Sequence, residues 1–422
     1  MMKITDNEIL IRTNAGTPMG SLFRRYWLPA LTSSELPHAD CPPVRLPILG
    51  EKLLAFRNSE GNVGVVNEAC PHRQASLYFG RSEQCGIRCA YHGWHFDING
   101  NCLDIPSEGP DSKIKKRVVL KAYPTFERNG VIWVFLGEGE KPPTPALEWS
   151  LLPEQNLFVS RRLQECNYFQ VMEGGLDSSH LSWLHQGSLM EDPIMGMAGS
   201  GTDSRILEIM AADCSPHYET ITTKGGLLLG ARRNAGDGRY YWRITQFVLP
   251  CFNLIAPFGD LSLNAQAWVP MDDGNCWSWA VNYFRERSMT EQELESMRNG
   301  GGLHVKHVKG THQGTAKFAN DYERDVQKQL SGESFTGIPN FAMQDAAVQE
   351  SQGNIADRSQ EQLVSSDYGI VRTRKALLNA IAITLKGEVP AGLDPSTHDV
   401  KSASIITEAA ELENVSFENS EW

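Results

Sequence analysis

The chain has 422 residues, 41% of them hydrophobic and 21% charged, which is the composition of an ordinary globular protein and excludes a disordered, collagen-like or disulfide-scaffold chain. Acidic side chains outnumber basic ones 51 to 39, for a formal net charge of -12, so nucleic acid is excluded as a partner, because that affinity is carried by clustered Lys and Arg. Nine cysteines at this length do not make an exported disulfide framework.

Residues 1–42 read as helical, with Leu22, Tyr26 and Trp27 on one face and a stop before Pro29. From Pro43 the pattern changes to short β-type runs: VRLPILG, KLLAFR, GNVGVVNEA, YHGWHFDINGN and NGVIWVFLG, with hairpin turns at Asn99-Gly100 and Asn129-Gly130. A proline-rich linker, KPPTPAL, closes this stretch. A helix-like segment follows from Asn167 to His185, with Tyr168, Val171, Met172 and Leu176 as its apolar face. The runs ILEIMAADC, HYETITTK, LLLGARR, RYYWRITQFVLP, NLIAPFG, LNAQAWVPM and CWSWAVNYF then predict an antiparallel sheet with one buried face. Helices return after Thr290, from Ala342 to Ser351 and from Gly369 to Leu385, and the acidic tail Glu408 to Glu421 reads as a solvated face. The expected architecture is α+β in two domains, with boundaries at 43–145 and 146–422 behind the helical 1–42 segment.

The start, MMKITDNEILIRT, lacks the progression of a signal peptide, and the longest obvious apolar run is Val131 to Leu136. Spanning a bilayer takes about 18 apolar residues. The expectation is therefore no membrane contact, a cytoplasmic location, and thiols that stay reduced unless they hold a metal.

Two groups of residues carry chemistry. Cys70-Pro71-His72 and Cys89-Ala90-Tyr91-His92 stand sixteen residues apart between strand-like runs, followed by Gly93-Trp94. Two soft thiolates and two imidazoles on two tight loops form a metal-ligand set. Zinc accepts Cys₂His₂, but zinc fingers pair Cys with Cys and His with His. One Cys and one His on each loop suits two sulfide-bridged irons, with both thiolates on one and both imidazoles on the other. Cys85 and Cys102 fall outside the spacing and read as packing residues. The second group is Asp177-Ser178-Ser179-His180, continuing to His185. Asp177 and His180, three apart, share a helix face. His180 and His185 are five apart, so either the helix distorts before Gly187 or the two histidines do different jobs. His304, His307 and His312 sit in a polar, Gly-rich stretch and read as a solvated loop or subunit contact rather than a metal site.

C-P-H-R with C-x-Y-H-G-W resembles the Rieske family, and D-x-x-H-x-x-x-x-H resembles the mononuclear-iron motif of Rieske non-heme iron ring-hydroxylating oxygenases, α-subunit type. The resemblance covers most of the chain. It implies an all-β Rieske domain, with Cys70, His72, Cys89 and His92 on a 2Fe–2S cluster, and a helix-grip catalytic domain with a long antiparallel sheet. It also implies that 1–42 packs with the catalytic domain. His180 and His185 are then two members of a 2-His-1-carboxylate set for Fe(II). Asp321, Asp325, Asp345, Glu350 and Asp357 compete for the third place. Asp345, in Gln344-Asp345, looks like the family's ligand position. Asp177 corresponds to the family's bridging aspartate, which links a cluster histidine of one subunit to an iron histidine of its neighbour, and so implies a trimer or hexamer.

FRRYWLPA, Gln344-Asp345 and Ser365-Ser366-Asp367 look like the phthalate dioxygenase group. Members of that group take electrons from a separate NAD(P)H-dependent flavin and 2Fe–2S reductase, and use O₂ and aromatic carboxylates. A carboxylate on an apolar ring wants a bidentate donor, hence Arg over Lys. Arg205 and Arg243, on predicted strands, align with that group's carboxylate-binding positions. Ser179 could add a hydroxyl, and Arg232 and Arg233 stand in reserve. The expected reaction is cis-dihydroxylation of phthalate or an isomer. The alternatives are a monooxygenase or O-demethylase of a substituted benzoate and, from another class, a zinc-stabilised binding protein without redox activity.

Overall fold

The computed structural model describes residues 2–109, 113–187, 205–258 and 262–416. They form two compact units, one of residues 13–142 with 270–272, the other of residues 1–12, 143–269 and 273–422. The architecture is α+β, as the sequence pattern predicts.

The smaller unit holds three antiparallel sheets. β1 (Trp27–Thr32) pairs with β11 (Val131–Phe135), which also pairs with β10 (Thr125–Arg128). A second sheet runs β2 (Val44–Ile48), β3 (Glu51–Arg57), β4 (Val63–Asn67), β9 (Ala122–Tyr123), and a third β5 (Arg81–Glu83), β6 (Gly86–Arg88), β7 (His95–Asp97), β8 (Cys102–Asp104). Asn129 and Gly130 both take positive φ between β10 and β11, the geometry that a two-residue hairpin demands. The N-terminal 1–42 segment differs from a single helical block. Helix Ile4–Ile11 belongs to the larger unit, whereas a short helix at Pro18–Phe23 and β1 belong to the smaller one. The reason is that Trp27–Leu31 is buried on both faces as a strand against β11.

The larger unit is built on an eight-stranded antiparallel sheet. Its order is β12 (Leu157–Gln164), β18 (Cys276–Tyr283), β17 (Leu263–Pro270), β16 (Phe252–Ile255), β15 (Arg239–Val248), β14 (Gly226–Gly236), β13 (His217–Thr222). β19 (Ala403–Thr407) joins it by pairing with β15 over Tyr240–Ile244, while β16 takes Gln246–Val248. Helices Tyr168–Leu176, Phe341–Glu350 and Tyr368–Leu385 belong to the same unit. Gly175 is required where the first of these crosses its neighbours, because it faces a rigid ring, whereas Gly174 faces the end of a flexible side chain. A Cβ at Gly174 would lie 2.3 Å from the Gln349 amide, and one at Gly175 2.3 Å from the Trp268 ring.

Several expectations are corrected. ILEIMAADC is not a strand but lies in helix Arg205–Ala212, because Ile206 and Met210, four apart, are its buried positions. The helix at 167–185 stops at Leu176, where Asp177 turns extended at ψ 135°. His304 is not solvated: it is 1% exposed, bonded through Nδ1 to Ser160 Oγ (2.6 Å) and through Nε2 to Asn282 Oδ1 (2.9 Å). Cys85 is exposed rather than packed, while Cys102 is buried. In the acidic tail, Leu412 and Val415 are buried against Trp242 and Leu228, and residues 417–421 lie outside the described ones. No helix among the described residues is long and apolar enough to cross a membrane.

Candidate metal centres and the cavity over the larger unit's sheet

In the smaller unit, two turns repeat one hydrogen-bond frame. The Cys70 N–H donates to Ala75 O and the Gln74 N–H returns to Cys70 O, both at 2.9 Å. The Cys89 N–H donates to Trp94 O (2.8 Å) and the Gly93 N–H to Cys89 O (3.0 Å). Each turn uses a left-handed residue at its fifth position, Gln74 (φ 60°) and Gly93 (φ 73°). The frame roots Cys70 and Cys89 in the core beside Leu77, Ile87 and Phe96, and leaves His72 exposed and His92 half-buried. The two imidazoles meet edge to face, centroids 4.5 Å apart, and His72 stacks on Trp94 at 5°.

Burial pushes the Cys70 thiol up to about 12, with the neighbouring Cys89 adding to the effect against a bond from the His72 backbone. A thiol pair in this setting ionises only if a cation replaces its protons. His92 Nδ1 is buried with no hydrogen-bond partner, an unmet donor atom where a ligand bond would satisfy it. The four residues thus fit a two-iron cluster, with thiolates inward and imidazoles outward.

In the larger unit, Asn167 opens the helix Tyr168–Leu176. Its side chain accepts the Phe169 N–H (3.0 Å) and donates to Ile11 O and Asp273 O. Beyond Leu176 the Asp177 carboxylate restarts the chain as a turn, accepting the Ser179 N–H on Oδ1 (2.7 Å) and the His180 N–H on Oδ2 (3.1 Å). This break answers the five-residue spacing: a short 3₁₀ turn at His180–Ser182 brings both histidines to one carboxylate. Asp345 Oδ1 lies 3.6 Å from His180 Nε2 and 3.5 Å from His185 Nε2. Ligand atoms of the three all lie within 4.8 Å of one another. The other acidic candidates are engaged elsewhere. Asp325 caps the helix Val326–Ser331, Asp357 binds Ser359, Glu350 binds Tyr322 Oη and the Glu165 N–H, and Asp321 occupies a left-handed turn.

Both imidazoles are oriented from behind. His180 Nδ1 faces Asp177 Oδ2 (3.3 Å), and His185 Nδ1 donates to Gln344 Oε1 (2.7 Å), whose amide is anchored on Ile338 O (2.7 Å). Remote partners of this kind fix which nitrogen faces a metal. Burial opposes ionisation of Asp177, but the bond and charge of His180 and the two N–H groups win, and bring its pKa down to about 2. Burial likewise disfavours the Asp345 carboxylate, and the neighbouring histidines and Arg162 overcome it. Two borderline imidazoles and one hard carboxylate fit a divalent iron and leave its other positions open.

A cavity of about 100 Å³ opens over these residues, with Val171, Ile255, Phe258 and Phe341 as apolar lining and Asn264, Gln266 and Asn282 as polar lining. Arg243 lines it from β15, 3% exposed, its guanidinium held on Ala256 O (2.9 Å), Pro257 O and Tyr241 Oη. Arg205 does not: it is exposed at the start of a helix, which corrects its placement on a sheet strand facing substrate. Ser179 turns its hydroxyl to Tyr218 (3.3 Å), and it is Ser178 that lines the cavity. Arg233 is committed to Ser178 and Asp213, and Arg232 stacks over Tyr240.

Sequence reasoning missed Tyr218, Gln344 as an imidazole anchor, and Arg162, which also lines the cavity. A signal for Arg162 was present: in LFVSRRLQ, strand alternation puts one of the adjacent arginines on each face.

Family models match both units: a Rieske [2Fe-2S] domain over residues 26–124 and a "LigXa C-terminal domain like" model over 134–410. The chain is 38% identical over 408 residues to the 3-chlorobenzoate-3,4-dioxygenase oxygenase subunit of Comamonas testosteroni, covering 92% of this chain and 91% of that one. It is 32% identical over 399 residues to the phthalate 4,5-dioxygenase oxygenase subunit of Pseudomonas putida, covering 93% and 89%. The fold is similar to the terminal oxygenase of carbazole 1,9a-dioxygenase from Nocardioides aromaticivorans IC177, with TM-score 0.59, 18% identity, and 89% and 96% coverage. The Rieske match sets aside the zinc-stabilised alternative.

Proposed function

The chain belongs to the Rieske non-heme iron ring-hydroxylating oxygenases of the phthalate dioxygenase-like group, iron enzymes with a 2Fe–2S cluster, and on that premise we propose that it cis-dihydroxylates an aromatic carboxylate, phthalate or an isomer. Electrons come from NAD(P)H through a separate flavin and 2Fe–2S reductase, and the working assembly is a trimer or hexamer. The supporting observation is Arg243: a buried guanidinium lining the same cavity as His180, His185 and Asp345. Both curated relatives described above are named for aromatic carboxylates.

In this reading Cys70, His72, Cys89 and His92 hold the cluster, and His180, His185 and Asp345 hold the iron. When bound, the cluster supplies single electrons and the iron supplies dioxygen activation. The chain's own residues do the rest. Asp177 and Gln344 fix the imidazoles so that each presents Nε2 toward Asp345. Arg243 anchors the substrate carboxylate, and its fork suits bidentate recognition. Val171, Ile255, Phe258 and Phe341 flank an apolar ring and exclude water from it. Asp177 bridges toward a cluster histidine of a neighbouring copy.

The test is oxygen uptake with a compatible reductase across phthalate isomers and benzoates, with ¹⁸O₂ to count incorporated atoms. Two labelled atoms in a dihydrodiol carboxylate are expected. One labelled atom, or formaldehyde from a methoxybenzoate, would overturn dioxygenation in favour of a monooxygenase or O-demethylase.

A further inference from the structure

The cavity over Asp345 contains a second buried cation. Arg162 sits on the edge strand β12, four places along the strand order β12-β18-β17-β16-β15 from the strand that carries Arg243. It is 6% exposed and lines the cavity. Its donors meet only neutral acceptors: Gln164 Oε1 from Nη2 (3.0 Å) and Nε (3.3 Å), Leu303 O from Nη1 (3.5 Å) and Ala342 O from Nη2 (3.5 Å). Among the described residues no carboxylate oxygen lies within 4 Å of it.

A buried cation without a contacting anion is costly, and removing such a charge is often neutral or stabilising. Burial depresses the Arg162 pKa, and only the longer-range charges of Asp345 and Glu350 lead the opposing effects. Four contacts also leave the five-donor fork incompletely used, and three of the four are long. The cavity lining therefore includes guanidiniums from two strands, β12 and β15, together with apolar side chains, and Arg243 too contacts only neutral acceptors.

We propose that Arg162 is a specificity-determining residue that binds a second anionic substituent of the substrate, so that the site prefers aromatic dicarboxylates to monocarboxylates. The proposal rests on the aromatic-carboxylate reading above. Arg243 anchors the carboxylate common to both ligand classes, and Arg162 anchors the one only the dicarboxylate has.

The experiment is calorimetric titration of the oxidised, cluster- and iron-loaded protein without reductant, so that binding is read without turnover. The ligands are benzoate, phthalate, isophthalate and terephthalate, and the proteins are wild type, Arg162→Gln, Arg162→Lys and Arg243→Gln. A charge-assisted hydrogen bond of this kind corresponds to roughly 10- to 100-fold in Kd. Arg162→Gln should weaken the best dicarboxylate by that factor and benzoate by less than about threefold. Arg162→Lys should recover part of the loss, and Arg243→Gln should weaken both classes. Iron content should hold, and the ligand-free Tm of Arg162→Gln should match or exceed that of wild type, the opposite of what a structural arginine gives. Equal weakening of both classes, no weakening, or loss of iron with Kd unchanged would overturn the assignment, the last by making Arg162 a support for Asp345. If no carboxylate binds wild type, the parent reading fails as well. If benzoate binds and Arg243→Gln weakens it while Arg162→Gln leaves all four ligands unchanged, only the Arg162 proposal fails.

Discussion

The Tyr218 hydroxyl donates to Asp177 Oδ1 at 3.0 Å while accepting the Ser178 N–H at 2.6 Å. One phenol on β13 thus holds both the carboxylate and the backbone of the turn that delivers His180. Burial and the Asp177 charge push its own ionisation far above the ordinary range, so it stays a donor. Tyr218→Phe deletes both bonds, and the one to Ser179 Oγ, at almost constant volume. A stability loss of about 1–3 kcal/mol is expected, along with a turnover loss of about tenfold or more. The cluster's visible spectrum should be unchanged. Urea unfolding and steady-state oxygen uptake check this, and wild-type turnover in the variant would show that Asp177 needs no support from β13.

Asp345→Ala should leave the red-brown Rieske spectrum intact, lower bound iron, and abolish turnover. Asp325, Asp357 and Glu350 are bonded elsewhere, and Asp321 lies in a left-handed turn outside the three-residue cluster. Metal analysis against cluster absorbance separates the two centres. Full iron content with retained activity would mean that another carboxylate serves as ligand.

The pH dependence of stability has a specific source in His304. Burial, with the charges of Arg162 and His307, lowers its pKa to about 3. The unfolded imidazole titrates near 6.5. The unfolded state therefore binds the proton first, and the stability from neutral His304 is complete above pH 6.5 and lost as pH falls toward 3. By pH 5 the loss is about 2 kcal/mol. His304→Gln cannot titrate, so its drop in Tm between pH 7 and pH 5 should be smaller than that of wild type. Equal drops would place the acid sensitivity elsewhere.

Glu173 binds Arg358 (2.8 Å) and Arg374 (2.6 Å), and Arg374 also pairs with Glu361. Both guanidiniums are buried. Glu173→Gln leaves Arg374 with Glu361 alone and Arg358 with no carboxylate among the described residues, and a loss of roughly 3–5 kcal/mol is expected. Thermal unfolding measures it, and a change below about 1 kcal/mol would show that the pair behaves as a surface bridge.

Much of this site was legible because its chemistry is local. The proposed cluster loops declare themselves through a Cys and a His two or three positions apart, and the hairpin at Asn129-Gly130 through turn chemistry that few other dipeptides satisfy. His180 and His185 were legible as a pair, but not the break at Asp177 that lets them converge, because that break is a side-chain-to-backbone capture rather than a propensity. Residues that support from a distance were not legible. Tyr218 lies 41 positions from Asp177, and Gln344 lies 159 from His185. Arg205 failed for a related reason: ILEIMAADC is β-branched and apolar enough for a strand, and only the 206/210 burial reveals a helix.

The pairing of β19 with β15 bears on when the protein can become active. Arg243 stands opposite Ser404, and the Tyr241 hydroxyl that steadies it lies 2.8 Å from Ser404 Oγ, 163 positions further on. At 5–20 residues per second, a ribosome needs about 10–30 s to synthesise that interval. Asp345 likewise follows His180 and His185 by well over a hundred residues. The Rieske unit, apart from residues 270–272, is by then already made. In order of synthesis Cys70 to His92 therefore precede His180, His185 and Asp345, and the Ser404 hydroxyl that meets Tyr241 comes after them all. A nascent chain stalled before Ser402 should take up a cluster and show its colour, yet fail to retain mononuclear iron.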